Sequence, residues 1–410
     1  MNVSPDFSPS IKLMKPYFLF AGFFYILSFC WLFFIDPFAG FHDFQVVGWV
    51  HLYMLGFVML AIFSAMAQLG PVVVEVKHHN VNVFKYIWFI LVTGLISLLA
   101  GFYSNVTFLL IGGVLILLSM SIYAFEFLKT LQSATRETSI TNAMKMSNFF
   151  LLLGIVNGLI MALAFNGFLN IDPHTFLKAH TFGLIAGFVI MLIMGISIIL
   201  IPMFGFAKRI SDNEFAKSFF AITLSVVLML LSPLFLTSAL EHIAYFITFI
   251  AILLYLYQLY KMLSSRAKVI HDIWAKSMYV GFSSFIISFL LLSSYVFNEN
   301  ELVLELGIWI LFVGFFGFLI IGNYYKIIPF LVWFQIYSPL IEERAVPMLH
   351  ELLPKKLVSL QWTYSTLGLI ISSFGIFMHS SKLFFGGVSF LLIGAIIFFI
   401  VINKILKPDL

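Results

Sequence analysis

"GFVMLAIFSAMAQLGP", Gly56 to Pro71, places a proline fifteen residues after a Gly-Phe pair within an apolar run. The spacing returns as "GFVIMLIMGISIILIP", Gly187 to Pro202, and as "GFFGFLIIGNYYKIIP", Gly314 to Pro329. The copies are offset by 131 and 127 residues in a chain of 410, so each marks about one third of it. With 26 Gly, 51 Phe and 13 Pro, composition gives about 0.1 chance matches. A fourth copy, "GFFYILSFCWLFFIDP" from Gly22 to Pro37, falls in neither register. Topology separates it from the other three.

The chain is 62% hydrophobic, 18% aromatic and 10% charged, which leaves too little polar surface to coat a soluble globule. An integral membrane protein is implied. Twelve apolar segments are long enough to cross about 30 Å of hydrocarbon as helices. They centre near 16–36, 46–71, 83–102, 106–128, 147–169, 177–203, 216–237, 241–262, 274–297, 303–330, 358–379 and 384–404. Strand-period alternation is absent, which disfavours a β-barrel. With a cytoplasmic N-terminus, all of the 22 Lys and Arg residues but Lys178 and Lys382 fall on the cytoplasmic side. This predicts a multi-pass protein of a bacterial-type cytoplasmic membrane with both termini inside. The net charge of +4 is then topological and gives no reason to invoke nucleic acid. The first apolar segment is long and lacks a small-residue cleavage site, so no cleavable signal is expected. Cys30, the single cysteine, reads as an apolar filler of the first helix.

In this topology the three registered copies fall on helices 2, 6 and 10, each running from outside to inside. Gly56-Phe57, Gly187-Phe188 and Gly314-Phe315 then lie near mid-membrane, with Pro71, Pro202 and Pro329 near the cytoplasmic ends. The fourth copy sits on helix 1, which runs the other way. Three units of four helices follow, approximately 1–135, 136–268 and 269–410, in one polytopic domain. Units of even helix count repeat in parallel about an axis along the membrane normal. Glycine lets a neighbouring helix or a flat ligand come close. Efficient packing alone would also produce such units. The connection "SPLIEERAVPMLHELLPKK" reads as an interfacial segment.

Ionisable groups inside a membrane each call for a function or a partner. His51, in "GWVHLYMLGF", lies about two turns inside the outer end of helix 2, and His180, in "FLKAHTFGLIAGF", at similar depth on helix 6. Imidazole ligates haem iron, copper and zinc, so both are candidate cofactor ligands; a histidine hydrogen-bonded between helices is the alternative. His42, His174, His242 and His379 map to the outer face and permit a metal site or haem-propionate contacts, though solvated loop histidines look the same. The pair His78-His79 stands in a basic loop and suggests phospholipid headgroup contact. The only His-Glu pair is "HELLP", where Pro354 takes the place of a zinc protease's second histidine. Neither a phosphate-binding Gly-rich loop nor a Cys-x-x-Cys-His haem attachment site is present. Lys326 can snorkel from the inner end of helix 10, with Asn323, Tyr324 and Tyr325 as interfacial anchors or a polar path.

Twelve helices in three parallel groups, with these histidines on helices 2 and 6, resemble subunit I of the haem-copper oxidases. The likeness is nearer to their non-oxidase relatives, the NnrS-like proteins, whose helix 2 carries Trp-His-x-His-x4-Gly-Phe-x13-Pro. Here "WVHLYMLGFVMLAIFSAMAQLGP" keeps His51, Gly56, Phe57 and Pro71, while Trp49 replaces the first histidine. "KAHTFGLIAGF" is similar to the helix-6 histidine segment, which carries over His180. The oxidase histidines of helices 7 and 10 are missing, and Leu184 stands where the cross-linked tyrosine would be. The resemblance therefore implies a haem- or copper-binding membrane protein in redox, nitric-oxide response or respiratory-complex support, without oxygen reduction. The rivals are a cofactor-free transporter or channel, and a structural partner of a membrane complex.

Overall fold

The computed structural model describes residues 7–40, 42–134, 136–235 and 238–407. Its long helices are α1 (Ile11–Phe34), α2 (Phe44–Val74), α3 (Val81–Tyr103), α4 (Thr107–Gln132), α5 (Ser139–Phe165), α6 (Pro173–Gly205), α7 (Asp212–Phe235), α8 (Ser238–Ser264), α9 (Ile273–Asn298), α10 (Glu301–Leu340), α11 (Lys355–Phe377) and α12 (Ser381–Ile405). There is no strand among the described residues. All but α11 are long and apolar enough to cross a membrane. In α11, Gln361, Thr363, Ser365, Thr366, Ser372 and Ser373 dilute the apolar run without breaking the helix. Every expected segment is a helix, and together they make a helical multi-pass membrane protein.

Local chemistry sets the helix starts. The Ser10 side chain accepts from Leu13 N–H, that of Asp43 from Gln45 N–H at 2.7 Å, and that of Asp272 from Ala275 N–H at 2.9 Å. Thr138 and Thr141 form a reciprocal capping box at the head of α5. Each occupies a donor that the first helical turn leaves orphaned. Large apolar side chains such as Phe34 and Phe297, 81% and 89% exposed, face outward, as a hydrocarbon solvent permits.

The chain divides into two compact units. Leu69–Ile270 holds the end of α2 and α3 through α8; Pro9–Gln68 with His271–Leu410 holds α1, most of α2 and α9 through α12. In the second unit α12 lies against α1 and α11, and α9 runs along α10.

One helix differs from expectation. The tenth segment does not end near 330: α10 continues through Pro329 to Leu340. Lys326 therefore stands well before the helix end, and its ammonium meets the Asp272 carboxylate at 2.7 Å instead of snorkelling alone. Tyr324 and Tyr325 are 1% and 3% exposed, so they are core residues and not interfacial anchors. Their hydroxyls have partners that cost less than exposure would gain: Ser64 at 2.9 Å and Gln361 at 3.2 Å.

Candidate functional site

Helices α2, α6 and α10 share a backbone irregularity. Each contains an eight-residue π-helical stretch, Leu52–Met59, Gly183–Ile190 and Ile310–Gly317. Each stretch is followed by fifteen α-helical residues, Leu60–Val74, Met191–Gly205 and Phe318–Val332, with Pro71, Pro202 or Pro329 inside. The π segments stand at the same 131- and 127-residue offsets as the Gly-Phe-Pro spacing. Gly56, Gly187 and Gly314 each occupy the fifth π position, and Phe57, Phe188 and Phe315 beside them are fully buried. Wide turns of this kind misalign the backbone ladder and gather at functional positions.

Each of these glycines faces a side chain of a neighbouring helix. A Cβ on Gly56 would come within 2.7 Å of Phe24 on α1, one on Gly187 within 2.9 Å of Phe150 on α5, and one on Gly314 within 2.5 Å of Ser284 on α9. One turn along those neighbours a second contact recurs. Trp49 donates Nε1–H to Ser28 O on α1 at 2.9 Å, His180 bonds through Nδ1 to Gly154 O on α5 at 2.8 Å, and Ser288 on α9 donates to Gly307 O at 2.7 Å. Relative to its π segment, His180 therefore matches Trp49 and Gly307. His51 matches Phe182 and Trp309.

Both intramembrane histidines are half-buried and held at Nδ1. His51 bonds to Val47 O in its own helix at 2.8 Å. His180 lies over a glycine cradle, its Cε1 only 2.6 Å from where a Gly158 Cβ would be. A carbonyl can only accept, so each bond puts the proton of the neutral ring on Nδ1 and leaves the lone pair on Nε2. That is the tautomer of a metal-ligating imidazole anchored by a backbone carbonyl. The donor set thus fits one imidazole per metal. His51 and His180 belong to different units.

In the unit that holds His51, the interior is filled with rings. Tyr25 packs on Phe57 at 4.2 Å between centroids, and Trp49 on Tyr53 at 5.7 Å and on Trp309 at 5.6 Å. Tyr53 reaches from one π segment to the other, donating to Phe312 O at 2.9 Å with its ring parallel to that of Phe312. Trp309 donates to Ser372 at 3.0 Å, and Gln361 links Tyr325 to Ser365. These residues are buried, and the polar atoms of Trp49, Tyr53, Trp309, Tyr325 and Gln361 meet side-chain or backbone partners, as a low-dielectric interior demands.

The four histidines expected at the outer face belong to helix ends and connections. His42, His174, His242 and His379 are exposed; His242 bonds to Ser238 O, His174 lies edge-on to Phe165, and His379 packs on Phe38 at 4.4 Å. Among the described residues no three His, Cys, Asp or Glu side chains are grouped to hold a metal ion. The pair His78-His79 separates. The His78 side chain is 4% exposed and meets Glu126 at 2.9 Å, so it does not face lipid headgroups; His79 is exposed. Glu126 also accepts from Asn80 N–H at 2.8 Å and Thr130 Oγ1 at 3.0 Å, a set of partners that makes its burial tolerable. Sequence reasoning missed Glu126, though a lone carboxylate in the apolar run "SIYAFEFL" was the available signal. No family model matches the chain, and no curated protein matches it.

Proposed function

We propose that this chain is a membrane haem- or copper-binding protein of the haem-copper oxidase subunit I-like type, built from three parallel four-helix repeats and lacking the oxidase ligand set. The observation that carries the reading is the position of His51. The recurrent packing accounts for His180, whose ring bonds to the preceding helix as Trp49 does. His51 is placed differently: its Nδ1 bonds to Val47 O in α2, and its matched positions are Phe182 and Trp309. His51 is thus an imidazole with a ligand-ready tautomer at a position matched by an apolar or indole ring in the other two helices. Bound iron or copper would supply one-electron chemistry or a site for nitric oxide, and the apolar surroundings would tune its potential. The protein's own part is to fix the imidazole and exclude water. The cytoplasmic membrane, a nitric-oxide or respiratory role and an assembly partner belong to the same proposal.

A second reading, a cofactor-free transporter, channel or structural partner, is favoured by the ring packing around Tyr25, Tyr53 and Trp309, which fills that unit's interior. One experiment separates the two. Detergent-purified protein from haem- and copper-replete cells is assayed by pyridine haemochrome spectrum and metal analysis, beside His51→Ala and His180→Ala. The expected result is about one cofactor per chain, lost in His51→Ala and kept in a less stable His180→Ala. Colourless, metal-free wild-type protein overturns the first reading.

A further inference from the structure

Glu305 is the distinctive carboxylate of the second unit. It is half-buried in the first turns of α10 and takes part in no hydrogen bond or ion pair among the described residues, whereas Asp272 holds Lys326 and caps α9. His379 and Glu301 lie within electrostatic range of it. It opens on a cleft of about 50 Å³ walled by Leu32, Ile35, Trp49, Ile308, Trp309 and Phe384. Trp49 and Trp309 are stacked at 5.6 Å and are 6% and 5% exposed, and Phe384 packs on Trp309 at 5.1 Å. Their indole N–H groups are already spent on Ser28 O and Ser372 Oγ. The tryptophans therefore offer the cleft apolar and π surface and no donors.

A carboxylate with no hydrogen-bond or ion-pair partner among the described residues, and only His379 as a basic group in electrostatic range, accommodates beside aromatic side chains a positive charge that is itself weakly hydrated. Negative ring faces attract an organic cation, and the carboxylate supplies the counter-charge in a site of reduced dielectric. A metal ion would need further oxygen or nitrogen ligands that the cleft does not offer. An anion would meet only repulsion. The cleft is shallow and partly open, so it receives part of a small ammonium head, the rest staying at its mouth, and does not enclose a larger ring system.

We infer that the Glu305–Trp49–Trp309 cleft binds a small quaternary or alkylated ammonium head group. The site is independent of His51 and of any haem or copper. It is tested with choline as the probe, by equilibrium dialysis of radiolabelled choline against the full chain in a maltoside detergent. Its uncharged carbon isostere, 3,3-dimethyl-1-butanol, is the competitor. Saturable choline binding is expected, with no competition by the alcohol, and Glu305→Gln should weaken it by about tenfold or more. Glu301→Gln, an exposed control one turn earlier that does not line the cleft, should weaken binding much less than Glu305→Gln. If Glu305→Gln fails to fold by circular dichroism, Glu305→Asp replaces it, and intermediate affinity is expected because the carboxylate retreats by one methylene. Absence of saturable binding, equal competition by the alcohol, or wild-type affinity in a folded Glu305 variant overturns the assignment.

Discussion

Trp49 and His180 stand at matched positions in two different units, each a few residues before a π-helical stretch and each bonded to a carbonyl of the preceding helix. Around Trp49 the space is filled by Tyr53 and Trp309; around His180 the preceding helix recedes to Gly154 and Gly158. One backbone arrangement therefore accepts an indole or an imidazole, provided that the facing helix adjusts its side-chain volume and the ring keeps an N–H donor. The difference teaches that a histidine inside a membrane helix can be an element of packing, and that an isolated ionisable residue identifies a ligand only after its matched positions have been compared.

The comparison breaks first at volume. Trp49→Ala removes a buried indole and leaves a cavity, and should cost about 3–5 kcal/mol in detergent unfolding. Trp49→His keeps a donor for Ser28 O and should recover part of that loss; no recovery would show that the shared hydrogen bond contributes nothing. Next come the cradles. Gly158→Ala drives a methyl into the His180 ring, and Gly56→Ala drives one into Phe24 Cγ and Cβ, so each should cost about 1–3 kcal/mol by thermal unfolding. A neutral Gly56→Ala beside a costly Gly187→Ala would mean that the recurrent spacing does not reflect one contact.

Smaller again, His180→Phe removes the bond to Gly154 O and should cost about 0.5–1.5 kcal/mol if the ring is a packing element. Loss of bound metal in that variant would instead move the ligand assignment from His51 to His180. The smallest effect belongs to the surface. The Lys145 ammonium, hydrogen-bonded to Glu137, lowers that carboxyl below the usual glutamate range. Whatever stability this lends is present above the ordinary glutamate range and fades as pH falls through the lowered value. Glu137 is fully exposed, so Glu137→Gln should leave the unfolding midpoint unchanged at neutral pH.

The sequence by itself determined the solvent and the helices. Hydrocarbon leaves a backbone no partner but itself, so runs of about twenty apolar residues must be helical, and all twelve are found where composition put them. It also carried the recurrence, because Gly, Phe and Pro are read without knowing the fold. The extension of α10 beyond Pro329 was illegible, since proline weakens a helix without dictating that the chain stop. So were the π-helical stretches, whose glycines lie against α1, α5 and α9. Only the tertiary structure decided that Glu126 receives His78 while Glu305 has no hydrogen-bond or ion-pair partner among the described residues, and that His180 shares its place with a tryptophan. The reason is physical. A side chain's cost in the membrane depends on the partner that another helix brings to it, and that partner is distant in the chain.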